Sequence, residues 1–366
     1  MSGVISSASS RDVDPQVVSI IVVTWNSADR VGACLGSLET HADRRRTDVV
    51  LVDNASSDGT AELVRESFPW VRVVQNRANV GFPRAVNQGV RMTSGRFLLL
   101  LNPDACLSAD TLSSLRRVFD DLPDVGAVGP HIVRTSGETD DFAARAFPSL
   151  GNALLRWSGV RRLAPHSRWL GRETIRVDGT EPNPVPCLTG AVLMVPRALL
   201  EEVGLLDETI PMYLEDLELC RRIHAHGYRV YFDPGTTVVH AGGASTAKSR
   251  HRAFLRATEN GHAPWLFIRR WQGTWASHVF VAAVAVGAAL RAVWHGSRAL
   301  LLRVAGRDPS ERLVAAQDNF ALLRWACGSK QAFQRRLRLL FADHASGRLG
   351  GELEGEAAGE RVITWT

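Results

Sequence analysis

The sequence predicts an α/β protein with a mostly parallel sheet flanked by helices, followed by a C-terminal helical extension. Short apolar runs alternate with helical patterns from residue 17 onward, which is typical of successive βα units. Several runs are continuous and rich in β-branched residues, as expected of parallel strands buried on both faces. Beyond residue 251 the strand-like runs stop and helical sequence takes over.

The apolar runs predict strands, and the residues between them predict helix starts. The predicted strands are 17–23, 49–52, 71–75, 97–101, 125–128, 190–195 and 228–232. The predicted helices begin with residues that suit a cap or a first turn, namely Ser27, Ser57 with Asp58, Pro83, Ser108, Pro196 and the pair Glu215 and Asp216. Gly227 is suited to end the last of these helices.

The composition limits the class of protein and its partners. Of 366 residues, 45% are hydrophobic and 22% charged, which excludes disorder over most of the chain. The net charge is +5, and only Lys248 and Lys330 are lysines. A basic chain suits an anionic substrate or a membrane surface, but arginine usage can equally reflect coding composition. Because the arginines are spread along the chain, no nucleic-acid partner is expected.

The cysteines and the N-terminus predict a cytoplasmic protein. The five cysteines are scattered and lack Cys-x-x-Cys spacing, so they are expected to be buried thiols in a reducing compartment. The first 14 residues are polar and Ser-rich rather than a signal peptide, and the apolar run at 17–23 is too short to span a bilayer.

The chain is expected to divide into four parts. Residues 1–16 form a disordered segment, 17–250 a catalytic domain, 251–346 a helical extension and 347–366 a mobile tail. Periodicity fades between 134 and 186, where Trp157 and Trp169 favour a binding loop. In the extension, the apolar stretch 279–290 is shorter than a spanning helix needs. It predicts either an interfacial membrane helix or an amphipathic helix packed on the domain.

Motifs in register over about residues 17–250 resemble family 2 glycosyltransferases with the GT-A fold. The first half carries SIIVVTWN at 19–26, VDNASSDGT at 52–60, NVGF at 79–82 and LNPD at 101–104. The second half carries LTGA at 188–191, GLLDE at 204–208, MYLEDLEL at 212–219 and VHAGGAS at 239–245. The chain is most similar to bacterial rhamnosyltransferases of cell-wall and O-antigen polysaccharide assembly. The resemblance implies an inverting, metal-dependent transfer from a dTDP or UDP sugar.

Asp104 is the candidate metal ligand. It directly follows a buried strand, where open α/β sheets bind ligands, and its carboxylate suits Mg²⁺ or Mn²⁺. The resemblance adds His240 as a second ligand. Many relatives have Asp-x-Asp where this chain has Asn102-Pro103-Asp104. Since Asn102 offers only a neutral carbonyl, the resemblance predicts modest metal affinity.

Further residues are assigned to the donor by the same resemblance. Asp53 is expected to accept hydrogen bonds from the pyrimidine base, although an Asx-turn is an alternative role for it. Thr24, Trp25 and Asn26 are expected to bond or stack on the nucleoside. The remaining candidates for nucleotide-sugar binding are Asn79, Gly81, Asn102 and Gly190.

Asp216 is the candidate general base, and Glu215 is the reserve. An inverting displacement needs one carboxylate to take the acceptor proton. At a helix N-terminus, the dipole favours the ionised form of such a carboxylate. Helix capping is the structural alternative for both residues. The sequence does not separate two adjacent acids.

The expected acceptor is a saccharide, plausibly linked to polyprenyl diphosphate, which requires a cytoplasmic enzyme at the inner face of the membrane. Two other interpretations stay open at this point. One is a polyprenyl-phosphate sugar synthase, against which the Trp-rich segment 156–169 argues because it favours a larger acceptor. The other is a sugar-nucleotide-binding protein without turnover, against which the retained Asp104, Asp216 and His240 argue.

Overall fold

The computed structural model describes residues 14–140, 143–160, 175, 177, 179–210, 212–241 and 252–342. Its strands are β1 (Asp14–Thr24), β2 (Thr47–Asp53), β3 (Arg72–Gln75), β4 (Gly95–Leu101), β5 (Ala105–Cys106), β6 (Val125–Val133), β7 (Ala144–Arg145), β8 (Asn183–Val185), β9 (Cys187–Leu188), β10 (Val192–Pro196) and β11 (Arg229–His240). The helices of the sheet region are α1 (Val31–His41), α2 (Thr60–Ser67), α3 (Phe82–Arg91), α4 (Thr111–Asp121), α5 (Leu150–Trp157), α6 (Arg197–Glu202) and α7 (Glu215–Ala225).

Nine of the described strands form one mixed sheet. Its order is β3-β2-β1-β4-β10-β6-β11-β5, and β8 pairs with β11. The first four of these strands are parallel, β10 runs antiparallel between β4 and β6, and β11 is parallel to β6. In register, Thr24 at the end of β1 lies opposite Asp53 at the end of β2. The carboxyl ends of the parallel strands therefore meet at one edge, where such sheets bind ligands.

The sheet separates two hydrophobic clusters, because successive residues of a strand point to opposite faces. In β1, Ile21 and Val23 pack in the cluster that includes α3, α6 and α7. Ile20 and Val22 pack in the other cluster, with α1, α2 and α4. This two-sided burial explains why the strands read as continuous apolar runs. The predicted α/β fold with a mostly parallel sheet is confirmed.

The predicted strands and helices are all present, with shifted bounds. β11 runs to His240 and not to 232, and β1 begins at Asp14. Ser27 and Ser108 are not side-chain caps: α1 begins after Arg30 and α4 after Asp110, and neither has a capping side-chain bond. Asp58 does bond the start of α2, where its Oδ1 accepts the Thr60 N–H at 3.1 Å.

A helical layer packs beside the sheet. It comprises α8 (Arg252–Ala257), a π-helical turn (Thr258–His262), α9 (Ala263–Trp271), α10 (Gly273–Val304), α11 (Ser310–Cys327) and α12 (Lys330–Ala342). A third cluster joins these helices to α5 through Trp157, Phe280 and Trp325. Gly287 permits the approach of α10 to α5, since a Cβ there would lie 2.8 Å from the Trp157 carbonyl oxygen.

α10 is one continuous helix of 32 residues, which corrects the expected twelve-residue apolar stretch. Among the described helices, it alone is long and apolar enough to cross a membrane by length and composition, and 39% of its most apolar window is buried in the protein. Of its two predicted roles, packing on the domain is observed for one face.

The cysteine prediction is partly wrong. All five cysteines lie in the described part of the chain and are free. Cys34, Cys187 and Cys220 are buried, but Cys106 is partly exposed and Cys327 is exposed on the last turn of α11. Trp169, residues 242–245 of the VHAGGAS motif, residues 1–13 and the predicted tail at 347–366 fall outside the described residues.

Candidate functional site

The carboxyl ends of β1 and β2 are joined by a buried hydrogen bond. The Thr24 hydroxyl donates to Asp53 Oδ1 at 2.9 Å, and both residues are fully buried. Asp53 Oδ2 accepts the Ser56 N–H at 3.0 Å, which closes the turn that follows β2. The turn role of Asp53 is therefore observed. Its contact with a pyrimidine base stays a prediction.

Asn26 fastens the loop after β1 to the loop after β2. It adopts a left-handed backbone conformation with φ of 50°. Its side-chain oxygen accepts the Ser57 N–H at 2.8 Å, and its own N–H donates to the Ser56 hydroxyl at 2.8 Å. Trp25, which precedes it, is partly exposed at this edge of the sheet. A rigid, exposed edge of this kind suits a nucleoside.

Asn79 and Gly81 form the turn that starts α3. The Asn79 side chain accepts the Gly81 N–H at 3.0 Å, and Gly81 has a φ of 85°, which favours glycine. Asn54, which the sequence did not single out, holds this turn against β2. Its side-chain oxygen accepts from the Asn76 side chain at 3.0 Å and from the Val80 N–H at 3.4 Å.

Asp104 and His240 lie side by side although 136 positions separate them. The short strand β5 pairs antiparallel with the end of β11, which sets His240 opposite Ala105. As a result, His240 Nε2 lies 3.1 Å from Asp104 Oδ1. The Asn102 side chain lies 3.4 Å from the same imidazole nitrogen. The three residues predicted around the metal therefore converge.

The ionisation of Asp104 favours cation binding. Burial opposes the charged form, but the hydrogen bond and the charge of His240, with a smaller contribution from Arg30, outweigh it and lower the pKa of Asp104. His240 Nδ1 is buried without a hydrogen-bond partner among the described residues. A deprotonated carboxylate beside an imidazole is a donor set that Mn²⁺ accepts.

The donor set is small, and it fits a metal that is shared with a substrate. No group of three or more His, Cys, Asp or Glu side chains that could hold a metal occurs in the described part of the chain. Adjacent ligands of a metal with bonds of about 2.1 Å lie about 3 Å apart, which matches the 3.1 Å between Asp104 and His240. Substrate phosphates and waters commonly supply the remaining ligands of Mg²⁺. The residues present therefore fit a divalent metal.

Asp216 stands in the first turn of α7 and is held by an arginine. Arg145 Nη2 donates to Asp216 Oδ2 at 2.8 Å, and the Gly190 N–H donates to the same oxygen at 3.1 Å. The other oxygen accepts the Leu217 N–H at 2.8 Å. These bonds stabilise the carboxylate and fix its position. Gly190 thus bonds the candidate base, and its predicted contact with the donor stays a prediction.

Glu215 differs from its neighbour in charge state. Burial, and secondly the negative charge of Asp216, raise the pKa of Glu215 to about 7. One of its oxygens accepts the Leu214 N–H at 2.8 Å, which is a capping role. Near neutral pH, a large fraction of Glu215 is therefore protonated.

A cavity of about 540 Å³ opens beside both acids. Asn102, Gly190, Glu215 and Asp216 lie on the side of the sheet, and residues of α5, α8, α9 and α10 line the other side. The Asn102 N–H donates to the Ala191 carbonyl at 2.8 Å, so the end of β4 and the Gly190 loop are joined. Through Asn102, this cavity adjoins the Asp104–His240 pair.

The sequence model of the glycosyl transferase family 2 matches residues 19–204, which is half of the chain. The chain belongs to this family. It is therefore a glycosyltransferase, as the motifs predicted. The family match ends before Glu215, Asp216 and His240, so the roles of these three residues stay predictions.

Relatives of known name agree with this family. The N-acetylglucosaminyl-diphospho-decaprenol L-rhamnosyltransferase of Mycobacterium tuberculosis (strain CDC 1551 / Oshkosh) is 27% identical over 269 residues, which cover 68% of this chain and 86% of the relative. The poly-beta-1,6-N-acetyl-D-glucosamine synthase of Staphylococcus aureus (strain MSSA476) is 21% identical over 224 residues, which cover 59% of this chain and 48% of the relative.

A solved structure supports the fold. The mannosyltransferase PcManGT from Pyrobaculum calidifontis in complex with GDP-Man and Mn²⁺ superposes with a TM-score of 0.50 and 21% identity, covering 86% of this chain and 89% of that chain. At this identity, the likeness concerns the fold alone. The predicted GT-A fold is confirmed.

Two arginines of this glycosyltransferase were missed by sequence reasoning. Arg145 bonds the candidate base, but it lies in the segment where periodicity fades, so no pattern marked it. Arg30 contributes to the charge around Asp104 and follows the SIIVVTWN motif by four residues. Its only signal was its closeness to that motif.

Proposed function

We propose that this glycosyltransferase moves a sugar from a nucleotide-diphosphate donor to a saccharide acceptor, with inversion at the anomeric carbon and with a divalent metal. The cavity shared by Asn102 and Asp216 carries this proposal, because it adjoins the Asp104–His240 pair at one end. A donor diphosphate at the pair and an acceptor in the cavity bring the reacting atoms together beside Asp216.

The donor is L-rhamnose carried by dTDP, with a UDP sugar as the alternative, and the acceptor is lipid-linked. The Mycobacterium tuberculosis relative supports both parts, since its name specifies L-rhamnosyl transfer to N-acetylglucosaminyl-diphospho-decaprenol. A cavity of about 540 Å³ favours a saccharide over the bare phosphate that a polyprenyl-phosphate sugar synthase would accept. Such an acceptor puts the enzyme at the cytoplasmic face of the membrane.

Asp216 acts as the base. The acceptor hydroxyl gives its proton to the Asp216 carboxylate as its oxygen bonds the anomeric carbon, and the bond from that carbon to the phosphate oxygen breaks. The electron pair of that bond leaves with the nucleoside diphosphate. Before the attack, Arg145 and the Gly190 N–H donate to Asp216 Oδ2 and hold the carboxylate in one orientation.

Asp104, His240 and the Asn102 carbonyl would hold the metal. When bound, Mn²⁺ or Mg²⁺ neutralises the negative charge that develops on the leaving diphosphate. Thr24, Asn26, Asp53, Asn79 and Gly81 form the rigid edge against which the nucleoside binds.

A strip on α10 makes peripheral contact with the membrane. Its members are exposed and apolar: Trp275, Val286, Leu290, Val293, Trp294, Leu300, Leu301 and Val304. The helix has no Asp or Glu, and Arg298 and Arg303 lie among the strip residues. Aromatic, aliphatic and arginine side chains without acids suit the interface of an anionic membrane.

The strip lies along the surface rather than across the bilayer. α10 packs against α11, which carries Glu311, Arg312, Asp318 and Arg324. A spanning α10 would carry these charges into hydrocarbon at a cost of about 2.5–3.5 kcal/mol each.

Transfer by the purified full chain tests the function. The protein is incubated with Mn²⁺ and with dTDP-rhamnose, UDP-sugars or GDP-sugars, with and without an N-acetylglucosaminyl-diphospho-prenyl acceptor. We expect transfer from dTDP-rhamnose that requires both metal and acceptor. Neither donor binding nor transfer anywhere in the panel would refute the proposal.

A further inference from the structure

The cavity beside Asp216 has two walls of different chemistry. The wall on the side of the sheet carries the two acids and the Gly190 loop. The helical wall is formed by α5, α8, the π-helical turn, α9 and α10, none of which the proposed chemistry uses. Its lining includes Asn152, Ala153, Arg156, Trp157, Arg256, Glu259, Asn260, Pro264, Ile268 and Phe280.

Two arginines stand on the helical wall. Arg156 comes from α5 and donates to the side chain of Asn260. Arg256 comes from α8 and donates to Glu259 at 2.8 Å, in an ion pair whose side chains are 42% and 40% exposed. Among the described residues that line this wall, the two arginines stand beside one acid, Glu259. Guanidinium groups are suited to bind phosphate through several N–H donors.

Apolar side chains adjoin these arginines. Trp157 and Phe280 pack in one cluster together with Ile268, and all three line the cavity. The Arg291 guanidinium of α10 lies 4.4 Å from the centroid of the Trp157 ring and donates to the Arg156 carbonyl, so it joins α10 to the end of α5. Cationic groups beside aromatic and aliphatic surface match an anion that continues into hydrocarbon.

We propose that the helical wall is a subsite for a prenyl diphosphate, in which Arg156 and Arg256 bind the diphosphate and Trp157 and Phe280 contact the first isoprene units. This assignment rests on the proposed function, because it places the saccharide of a lipid-linked acceptor against Asp216. It also gives the donor diphosphate and the acceptor diphosphate different binding sites. The donor diphosphate belongs to the Asp104–His240 pair and a metal, and the acceptor diphosphate belongs to the arginines without a metal.

Geranyl diphosphate is the probe for this subsite. Its binding to the full chain is measured by calorimetry in EDTA, which removes metal-dependent binding at Asp104. Geraniol and inorganic diphosphate are the two comparison ligands. We expect geranyl diphosphate to bind at least about tenfold more tightly than either, since one carries only the hydrocarbon and the other only the charge.

Arginine variants locate the binding. Arg256→Gln and Arg156→Gln are each expected to weaken geranyl diphosphate about tenfold or more, as for the loss of a charge-assisted hydrogen bond. Arg117→Gln, on the exposed side of α4, is the matched control and is expected to bind as the unchanged chain does. If Arg156→Gln lowers the melting temperature, Arg256→Gln still tests the subsite, because Arg256 is 42% exposed and its replacement should not unfold the protein.

The test separates this subsite from the proposed function. Equal binding of geranyl diphosphate and geraniol, or unchanged binding in both cavity variants, would overturn the subsite even if transfer occurs. Conversely, failure of all donors in the transfer assay would not affect the binding measurement. In an active enzyme, Arg256→Gln should raise KM for the diphospho-lipid acceptor about tenfold and leave KM for a neutral octyl glycoside of the same saccharide unchanged.

Discussion

Replacement of Glu215 by Gln is predicted to remove a cost in stability that grows with pH. The pKa of Glu215 is raised from 4.5 to about 7 by burial and by the charge of Asp216. For an acid with a raised folded pKa, the folded state resists ionisation. The contribution of Glu215 to stability is therefore most favourable below about pH 4.5, falls as pH rises towards 7, and levels off above. Over 2.5 pKa units, the loss is about 3 kcal/mol.

Melting temperatures of the unchanged chain and Glu215→Gln, measured from pH 5 to pH 8, test this value. With about 2.1 cal/mol/K of unfolding entropy per residue, 366 residues give roughly 1.3 °C per kcal/mol. The melting temperature of the variant relative to the unchanged chain should therefore rise by about 3–4 °C between pH 5 and pH 8. Titrating groups that do not interact with Glu215 cancel in this difference. Glutamine also keeps a carbonyl that can accept the Leu214 N–H.

A difference that stays constant across this range would refute the reasoning, because it would mean that Glu215 does not change charge there. Glu202→Gln is the control, since Glu202 is exposed on the last turn of α6 and its replacement should give no pH-dependent difference. The result also bears on catalysis. Because the pKa of Glu215 is about 7, a large fraction of it is protonated at pH 7 and cannot accept a proton, which favours Asp216 as the base.

Four further predictions concern the site and the strip. Asp216→Asn should lower kcat by about 10²- to 10⁴-fold with unchanged donor Kd, measured by transfer kinetics and calorimetry. Arg145→Gln should lower kcat, because it removes the ion pair that holds the Asp216 carboxylate in position. His240→Ala should raise the Mn²⁺ concentration for half-maximal donor binding at least about tenfold. A triple variant with Leu290→Ser, Val293→Ser and Leu301→Ser should reduce the fraction of the protein that sediments with anionic vesicles.

Each of these predictions has a contrasting result. Normal turnover by Asp216→Asn together with loss in Glu215→Gln would transfer the base role to Glu215. Arg145→Lys should restore part of the activity, because lysine keeps a positive charge beside the Asp216 carboxylate. His131→Ala, which changes a histidine of β6 that is not part of the metal pair, should leave the Mn²⁺ dependence unchanged. Equal vesicle binding by the strip variant would exclude α10 as the membrane contact.

The sheet was predictable because its signal is local. Strands buried on both faces need continuous apolar runs, and residues 20–23 of β1, 49–52 of β2 and 97–101 of β4 are such runs. Helix starts were less predictable because the loop donors found partners across the fold. The N–H groups of Ser27 and Ala28 donate to Thr60 and Asp58 of the neighbouring loop. The Ser27 side chain then has no capping role, and α1 begins three residues later than its position suggested.

Individual residues of the candidate site could be selected from the sequence, but the contacts between them could not. Asp104 was marked by the end of a strand, yet its contact with His240 depends on the antiparallel pairing of β5 and β11, which no local pattern encodes. The length of α10 was underestimated for a related reason. In the sequence, Arg291 marked the end of the apolar stretch 279–290. In the structure, its guanidinium stacks on Trp157 of α5, and the helix continues to Val304.

The helical extension follows the catalytic domain in the sequence, but its residues form part of the candidate site. The predicted boundary at 250/251 separates the sheet from the helices, but the cavity beside Asp216 is lined from both sides of that boundary. Phe280 of α10 closes the wall opposite the acids, and Gly287 brings α10 so close to α5 that Trp157 is held in the same wall. A chain ending near residue 250 would therefore keep Asp104, His240 and Asp216 but lose the part of the helical wall that α8, the π-helical turn, α9 and α10 form. In this glycosyltransferase, the same helix lines the cavity beside Asp216 with one face and exposes an apolar strip with the other, so the proposed lipid-linked acceptor and the proposed membrane contact would lie on adjacent surfaces.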